Sequence, residues 1–370
     1  MRPPLFSLLQ HIVDINSHTA NKAGVDAVGA FFQPHLEALG YAAQRHKRTH
    51  IGHHWHYRSP TVPGQKILLV GHLDTVALPD SPATFREDAQ WVYGPGVCDM
   101  KGGLIVLLEA LRQLDEKTGP IRNIDILLVS DEETGSDDSR SLTLDIAQEY
   151  DFCLVFEAAG RHGEVVIGRK GVGSFILHIA GVAAHSGNDH ALGVCANTIA
   201  AHAILALAKL ADPAQKTTLN VGRMEGGVGI NTISPTATLK FELRYTSESE
   251  KMRLLRAIDT LVTHPPLPGG KLTLEGGIQR ELFSPDMRQS RLLEALRAIT
   301  GDPLPTEVRG GVSDANLTHA AGTVTLDGFG PFGEWDHSPR ERALKESFFQ
   351  RILLVFRMLE HHQRHACQLA

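Results

Sequence analysis

Histidines and carboxylates gather directly behind the short apolar runs of this sequence. KILLV (66–70) leads into Gly71-His72-Leu73-Asp74, and IDILLV (124–129) into Ser130-Asp131-Glu132-Glu133. FCLVF (152–156) is followed by Glu157, and TVTLD (323–327) runs towards Glu334-Trp335-Asp336-His337. Between the first two lies a glycine-rich turn, YGPGVCDMKGG (93–103), that presents Asp99 just before a helix pattern. Carboxylates gathered in one place repel, and a buried charge needs a partner. A divalent cation answers both demands. Imidazoles and carboxylates without thiolates suit zinc, with cobalt or manganese as alternatives, and a pair of ions accounts for the number of acids.

Those apolar runs are short, continuous and rich in β-branched residues, as strands buried on both faces are. Helix patterns near 102–116 and 138–149 separate them, which is βαβ rhythm. In open parallel sheets, ligands bind beyond the carboxyl ends of the strands, and here those ends carry the imidazoles and acids. The middle of the chain reads differently. Segments 172–181, 217–223, 236–245 and 271–276 pattern as strands, with helix patterns at 191–210 and 248–263. The order β-α-β-β-α-β is that of a ferredoxin-like unit. Helix 287–300, strand 323–327 and a long helix over 340–362 then return to mixed α/β. The expected fold class is α/β, a mixed and mostly parallel sheet flanked by helices, with an inserted ferredoxin-like α+β domain. The expected boundaries are 1–170 with 283–370, and 171–282, the breaks falling in GRKGVG (168–173) and near 280–285.

Bulk properties set limits on partners. A chain of 370 residues is long for one core, so two domains are the default. A net charge of -6 offers no reason to expect nucleic acid or an anionic membrane. Cys98, Cys153, Cys195 and Cys367 have no paired spacing, which fits a reducing compartment. The first residues, with Pro3, Pro4 and Asp14 around an apolar stretch, read as an amphipathic helix rather than a signal peptide. No apolar run approaches a bilayer span. The expected location is the cytoplasm.

The ordered set GHLDTV (71–76), GPGVCDMKGG (94–103), SDEETGS (130–136), FEAA (156–159), GVAAHSG (181–187) and the late His337 resembles the di-zinc hydrolase family of aminoacylases, acetylornithine deacetylases, succinyl-diaminopimelate desuccinylases and glutamate carboxypeptidases. The similarity covers nearly the whole chain; each motif alone is weak, and their order is specific. The resemblance implies a zinc-peptidase-like catalytic domain and two zinc ions per chain. It implies that His72 and Glu157 bind one ion, that Glu133 and His337 bind the other, and that Asp99 bridges them. Glu132 would be the general base and Asp74 would hydrogen-bond His72 from behind. A cis peptide would follow Asp99. His185 would supply an oxyanion donor to the partner subunit's site, which makes a homodimer through the inserted lid and dimerisation domain. Arg244 and Asn231 match the pocket for the substrate carboxylate, and Arg309 and Gly311, in VRGGVSDAN (308–316), match a loop lining the site.

Within that family, Glu157 in place of aspartate resembles the carboxypeptidase and deacylase branches, and GRKGVG is most similar to glutamate carboxypeptidases. FEAA for FEP, HSG for HAG and Val312 for a hydroxyl residue are departures. The implied function is hydrolysis of the amide bond of a small peptide or N-acyl amino acid with a free carboxylate. An N-acyl amino acid deacylase of the acetylornithine or succinyl-diaminopimelate type is the alternative, and a non-catalytic binding protein on the same fold the second. Other features read as structural. His50, His53, His54 and His56 pattern as an edge strand with solvated imidazoles, and His361, His362 and His365 as exposed positions of the last helix. GPGVCDMKGG lacks the Gly-Lys-Ser/Thr ending of a phosphate loop, which excludes nucleotide binding there.

Overall fold

The computed structural model describes residues 4–77 and 84–369. The chain divides into two compact units, one of Met1–Gly168, Phe283–Arg309 and Ser313–Ala370, the other of Arg169–Leu282 and Gly310–Val312. The tripeptide Gly310–Val312, expected with the larger unit, clusters with the smaller one. Arg169 Nη1 donates to the Gly311 carbonyl at 3.1 Å, which ties it there.

In the larger unit, the described residues form a six-stranded sheet in the order Ala42–His46, His54–Arg58, Ile124–Val129, Ile67–His72, Phe152–Val155, Val324–Leu326. The last four pair in parallel, and the first two are antiparallel additions. Ile67–His72 and Ile124–Val129 are buried at every position, as central parallel strands covered on both faces must be. Helices Lys101–Thr118 and Lys345–Arg364 belong to the cover, and their Leu104, Leu107, Leu111, Val355 and Met358 join the core. Gly102 and Gly103 let the helix Lys101–Thr118 begin hard against its neighbours. A Cβ at Gly103 would lie 1.9 Å from the Phe156 carbonyl oxygen, one residue before Glu157. This close approach fixes where Asp99 stands relative to the neighbouring strand end.

In the smaller unit, strands Gly171–Ala180, Thr218–Gly226, Thr236–Tyr245 and Lys271–Arg280 form an antiparallel sheet. The spatial order, second-third-first-fourth, with helices Ala196–Ala208 and Glu248–Thr263 between them in sequence, is the ferredoxin-like arrangement. Its own core gathers Phe175, Leu177, Leu207, Leu239, Phe241 and Leu254. Ser247 caps the second helix by accepting from the Glu250 N–H.

Several local expectations are corrected. The strand His54–Arg58 is internal, and His54 and His56 are fully buried rather than solvated. His54 Nδ1 accepts from the Ser130 N–H at 3.1 Å and its Nε2 meets Asp138 at 2.9 Å. His56 Nε2 meets the Tyr150 hydroxyl at 3.0 Å, and that hydroxyl donates to Asp125 at 2.7 Å. Each imidazole finds a polar partner inside, which is why alternation with Trp55 and Tyr57 does not signal a wet face. Arg342–Leu344 is a short strand, so the last helix begins at Lys345 rather than near 340. His362 is buried, and both its ring nitrogens lack a hydrogen-bond partner.

Burial pushes His362 from 6.5 down to about 4, and likewise His56. A group whose folded pKa is lowered is protonated first in the unfolded chain, so stability falls as pH drops through the window from 6.5 to 4. Removing the unpartnered ring by His362→Leu is expected to raise unfolding free energy by about 1–2 kcal/mol. It should also make the acid-side decline shallower, as read in urea melts at a series of pH values.

Candidate active site

The carboxyl ends of three adjacent parallel strands carry the site, as the sequence pattern requires. His72 is the last residue of Ile67–His72, Glu157 follows Phe152–Val155 by two residues, and Glu132–Thr134 forms a single tight turn after Ile124–Val129. Asp99 stands two residues ahead of the helix Lys101–Thr118, and the Asp99–Met100 peptide is cis. His337 comes from the loop after Gly333–Glu334 and adopts a left-handed backbone with φ 56°.

These five side chains meet in two trios that share Asp99. His72, Asp99 and Glu157 form one, and Asp99, Glu133 and His337 the other, with donor atoms within 4.8 Å of one another in each. His72 Nε2 lies 3.2 Å from Asp99 Oδ1 and 3.5 Å from Glu157 Oε1. His337 Nε2 lies 3.1 Å from Asp99 Oδ2 and 3.2 Å from Glu133 Oε2. The two Asp99 oxygens therefore face different imidazoles. Glu133 Oε1 is buried with no hydrogen-bond partner, an orphaned carboxylate oxygen beside the two trios. Two imidazoles, three carboxylates and no thiolate fit hard or borderline divalent cations such as zinc.

Electrostatics point the same way. Burial pulls His72 down, but hydrogen bonds to Asp74, Asp99 and Glu157 outweigh it and hold the ring well above the usual imidazole range. Asp99 and Glu133 hold His337 up, to about 11. Burial and the Asp99 charge push Glu133 up to about 8, and the same two causes raise Glu157. Asp99 is held below the usual carboxylate range, because its two imidazole partners overcome its burial. In the bare chain, protons do the work of a cation.

Glu132 is buried and lies in neither trio. Asp74 plays a broader part than expected. The closest partner of His72 Nδ1 is the Asp74 backbone carbonyl at 2.9 Å, the Asp74 carboxylate standing at 3.4 Å. The carboxylate accepts from Thr19 Oγ1 at 2.7 Å and from the N–H groups of Glu132 and Glu133, both at 3.3 Å. It thus ties the acidic turn to the histidine loop.

Glu341, which the sequence reading missed, holds the other side. Its buried carboxylate accepts from the N–H groups of Gly96 at 2.9 Å, Cys98 at 3.0 Å and Asp99 at 3.2 Å. Burial pushes its carboxyl up to about 7 despite those donors, with the Asp99 charge adding to the rise. Beside Arg340 and Arg342 it reads as a surface ion pair. The only signal was indirect, a glycine-rich turn whose N–H groups need an acceptor.

The remaining candidates belong to neither trio. Arg309 donates to the Ala158 carbonyl at 2.8 Å and to Glu307 at 2.8 Å, so it braces the segment after Glu157. In the smaller unit, His185 and Asn231 are exposed. His185 Nδ1 accepts from the N–H groups of Gly187 and Asn188, both at 3.1 Å, which leaves Nε2–H as a donor in the neutral ring. Arg244 grips Glu242 through Nε at 2.7 Å and donates through Nη1 to the Gly310 carbonyl at 3.0 Å. Gly311 only offers its carbonyl to Arg169.

A bridged carboxylate–imidazole centre at the carboxyl edge of a mostly parallel sheet defines a metallohydrolase of the peptidase and amidohydrolase class. Residues 68–361 match the model of peptidase family M20/M25/M40, and the chain belongs to that family. It is 28% identical over 364 residues to carboxypeptidase G2 of Pseudomonas sp. (strain RS-16), covering 96% of this chain and 88% of that protein. It is 27% identical to a succinyl-diaminopimelate desuccinylase of Delftia acidovorans, covering 84% and 86%. Among solved structures, an M20 family metallo-carboxypeptidase from Sulfolobus solfataricus superposes with a TM-score of 0.76 at 16% identity, over 98% of this chain and 100% of that one.

A metal ligand must be deprotonated, whereas the candidate ligands His337 and Glu133 are held at about 11 and about 8 in the bare chain. Metal loading near pH 7.5 is therefore expected to release protons, and the apparent affinity to rise with pH. Calorimetric titration in buffers of different ionisation enthalpy reads both. Glu341→Ala frees three N–H groups beside Asp99, and is expected to weaken metal binding by about 10–100-fold, measured by competition with a chromogenic chelator.

Proposed function

We propose that the chain hydrolyses the amide bond of a small peptide or N-acyl amino acid bearing a free carboxylate, in the manner of a glutamate carboxypeptidase, with two zinc ions. The observation that carries this reading is the sharing of Asp99 between the two trios. His72 and Glu157 would hold one ion, Glu133 and His337 the other. When bound, such a pair supplies Lewis-acid polarisation of the scissile carbonyl and an acidified water.

The chain's own residues do the rest. The Glu132 carboxylate, kept out of both trios, takes a proton from the attacking water and returns it to the leaving amine nitrogen. Asp74 sets its backbone through the Glu132 N–H, so the base is positioned by the same carboxylate that steadies His72. The His185 Nε2–H is oriented as a donor for the developing oxyanion. A homodimer through residues 171–282 places that donor in a partner's site. Arg244 and Asn231 bind the substrate carboxylate. The Arg244–Glu242 pair is part-exposed and such pairs are weak, so a carboxylate displaces it at low cost.

An N-acyl amino acid deacylase uses the same machinery, and the names of the relatives divide between the two activities. The intact Glu132, outside both trios, argues against a non-catalytic binder on this fold, which needs no non-ligand base. In zinc-loaded protein, Glu132→Gln is expected to lower kcat by roughly 10²–10⁴-fold. About two metal ions per chain should be retained, counted by elemental analysis. Full activity in that variant removes Glu132 from its role; one ion at saturation removes the bridged pair.

A further inference from the structure

The two imidazoles of the paired trios are fixed by different means. The His72 side chain is 1% exposed, and its Nδ1 lies 2.9 Å from the Asp74 carbonyl. An acceptor on the ring nitrogen that faces away from a metal is what commonly orients a ligand histidine. The His337 side chain is 56% exposed, with its Nε2 towards Asp99 and Glu133. Among the described residues no group accepts a hydrogen bond from its Nδ1. The direction of this ring must therefore be set by the backbone that carries it.

That backbone is a short loop in a costly conformation. Trp335 and His337 have φ of 63° and 56°, two left-handed residues with full side chains in one turn. Bulky residues keep such a conformation only where the surroundings over-determine it. The base of the loop is fastened twice. Gly333 and Glu334 pair with Ala343 and Arg342, and Arg342 Nε donates to Glu334 at 3.1 Å. The Arg342 guanidinium also stacks 4.1 Å from the centre of the Trp91 ring. Within the loop, Ser338 Oγ donates to the Trp335 carbonyl at 2.7 Å and accepts from the Arg340 N–H at 3.2 Å. The Glu341 N–H donates to the Ser338 carbonyl at 3.1 Å.

One further contact joins the two sides of the loop around His337. The Arg340 guanidinium lies 4.0 Å from the centre of the Trp335 ring. Trp335 is 49% exposed, so burial in the core does not account for its place. Arg340 is exposed as well, and among the described residues it forms no ion pair. The partner each side chain has is the other. Because Ser338 bonds the backbones of both residues, the stack and the hydrogen bonds constrain the same turn, with His337 inside it.

We propose that Trp335 and Arg340 form a clasp that positions His337. The clasp sets the affinity for the ion of Asp99, Glu133 and His337 separately from that of His72, Asp99 and Glu157. Both are positioning residues, acting through the His337 ring. A cation–π contact at an exposed site is modest, so the clasp tunes one ion and does not decide whether the fold forms. The inference rests on the two-ion hydrolase reading.

The test titrates the metal-free full-length protein with zinc against a chromogenic chelator, and with cobalt followed by visible absorption, to resolve two binding steps. His337→Ala identifies the step to which that ring belongs. Trp335→Leu is expected to weaken this step by about three- to fivefold and to leave the other unchanged. Arg340→Met should weaken the same step, although loss of a positive charge would by itself strengthen cation binding. Trp335→Phe and Arg340→Lys keep a ring and a cation, and should stay close to the native protein. The double variant Trp335→Leu, Arg340→Met should be no weaker than either single one, since both remove one contact. Equal weakening of both steps, no change in either, additive losses, or failure of the Phe and Lys variants to preserve the affinity overturns the clasp. Saturation of the native protein at one ion overturns the two-ion reading instead, and is told apart because it appears before any substitution is made.

Discussion

Three carboxylates and two imidazoles are pressed into one small volume, and Asp99 belongs to both halves of it. That crowding is the constraint on which the molecule depends. With all three acids ionised and both rings protonated, the cluster still carries excess negative charge, and four of its five side chains are largely shielded from water. Low-dielectric surroundings make such an excess costly. The bare chain answers by keeping both imidazoles cationic and drawing a proton onto Glu133. A pair of divalent cations answers it without protons, and leaves the imidazoles neutral and able to ligate. The same geometry that is strained electrostatically when bare is complementary to metal.

Other acids make the demand stronger while serving as anchors. Asp74 and Glu341 are buried carboxylates outside the two trios, and each accepts backbone N–H groups from the loops that carry ligands. Loops at strand ends are otherwise the least fixed parts of an α/β unit. An anionic acceptor bonds an N–H more strongly than a neutral one, so two carboxylates can hold two loops where two amides would hold them less firmly. The cost is two further negative groups near Asp99. Position and charge are coupled here: the groups that fix the geometry also enlarge the need for a cation.

Much of this was legible in the amino-acid sequence because it follows from strand ends. The continuous apolar runs before His72, Glu132 and Glu157 are buried throughout, and a run of that kind ends where the chain meets solvent or a ligand. Asp99 was legible from its glycines, and the close approach of Gly103 to Phe156 shows why no side chain fits there. Glu341 was not legible, because nothing local distinguishes an acid that caps a distant turn from one that pairs with a neighbouring arginine. His54 and His56 misled for the opposite reason. Their alternation with Trp55 and Tyr57 suggested one wet face, but Asp138 and Tyr150, far away in sequence, supply polar partners inside. Long-range hydrogen bonds decide such cases, and periodicity carries no record of them.

The residues assigned to metal and those assigned to substrate differ in their physical setting. His72, Asp99, Glu133 and Glu157 are largely shielded from solvent, and backbone bonds fix the loops that carry them. Groups held in this way need no reorganisation when charge develops, which is the condition under which preorganised electrostatics contribute most to a rate. His185, Asn231 and Arg244 belong to the smaller unit, where the first two are exposed and the third is only half-buried. His185 is held by near neighbours in sequence, and Arg244 by a part-exposed ion pair and one backbone carbonyl. Such loose tethering suits the substrate-binding roles proposed for them, since resting bonds of this kind can be exchanged at little cost. The division follows the proposed roles: His72 and the three carboxylates of the two trios are shielded between strand ends, and the groups proposed for substrate are carried nearer the surface.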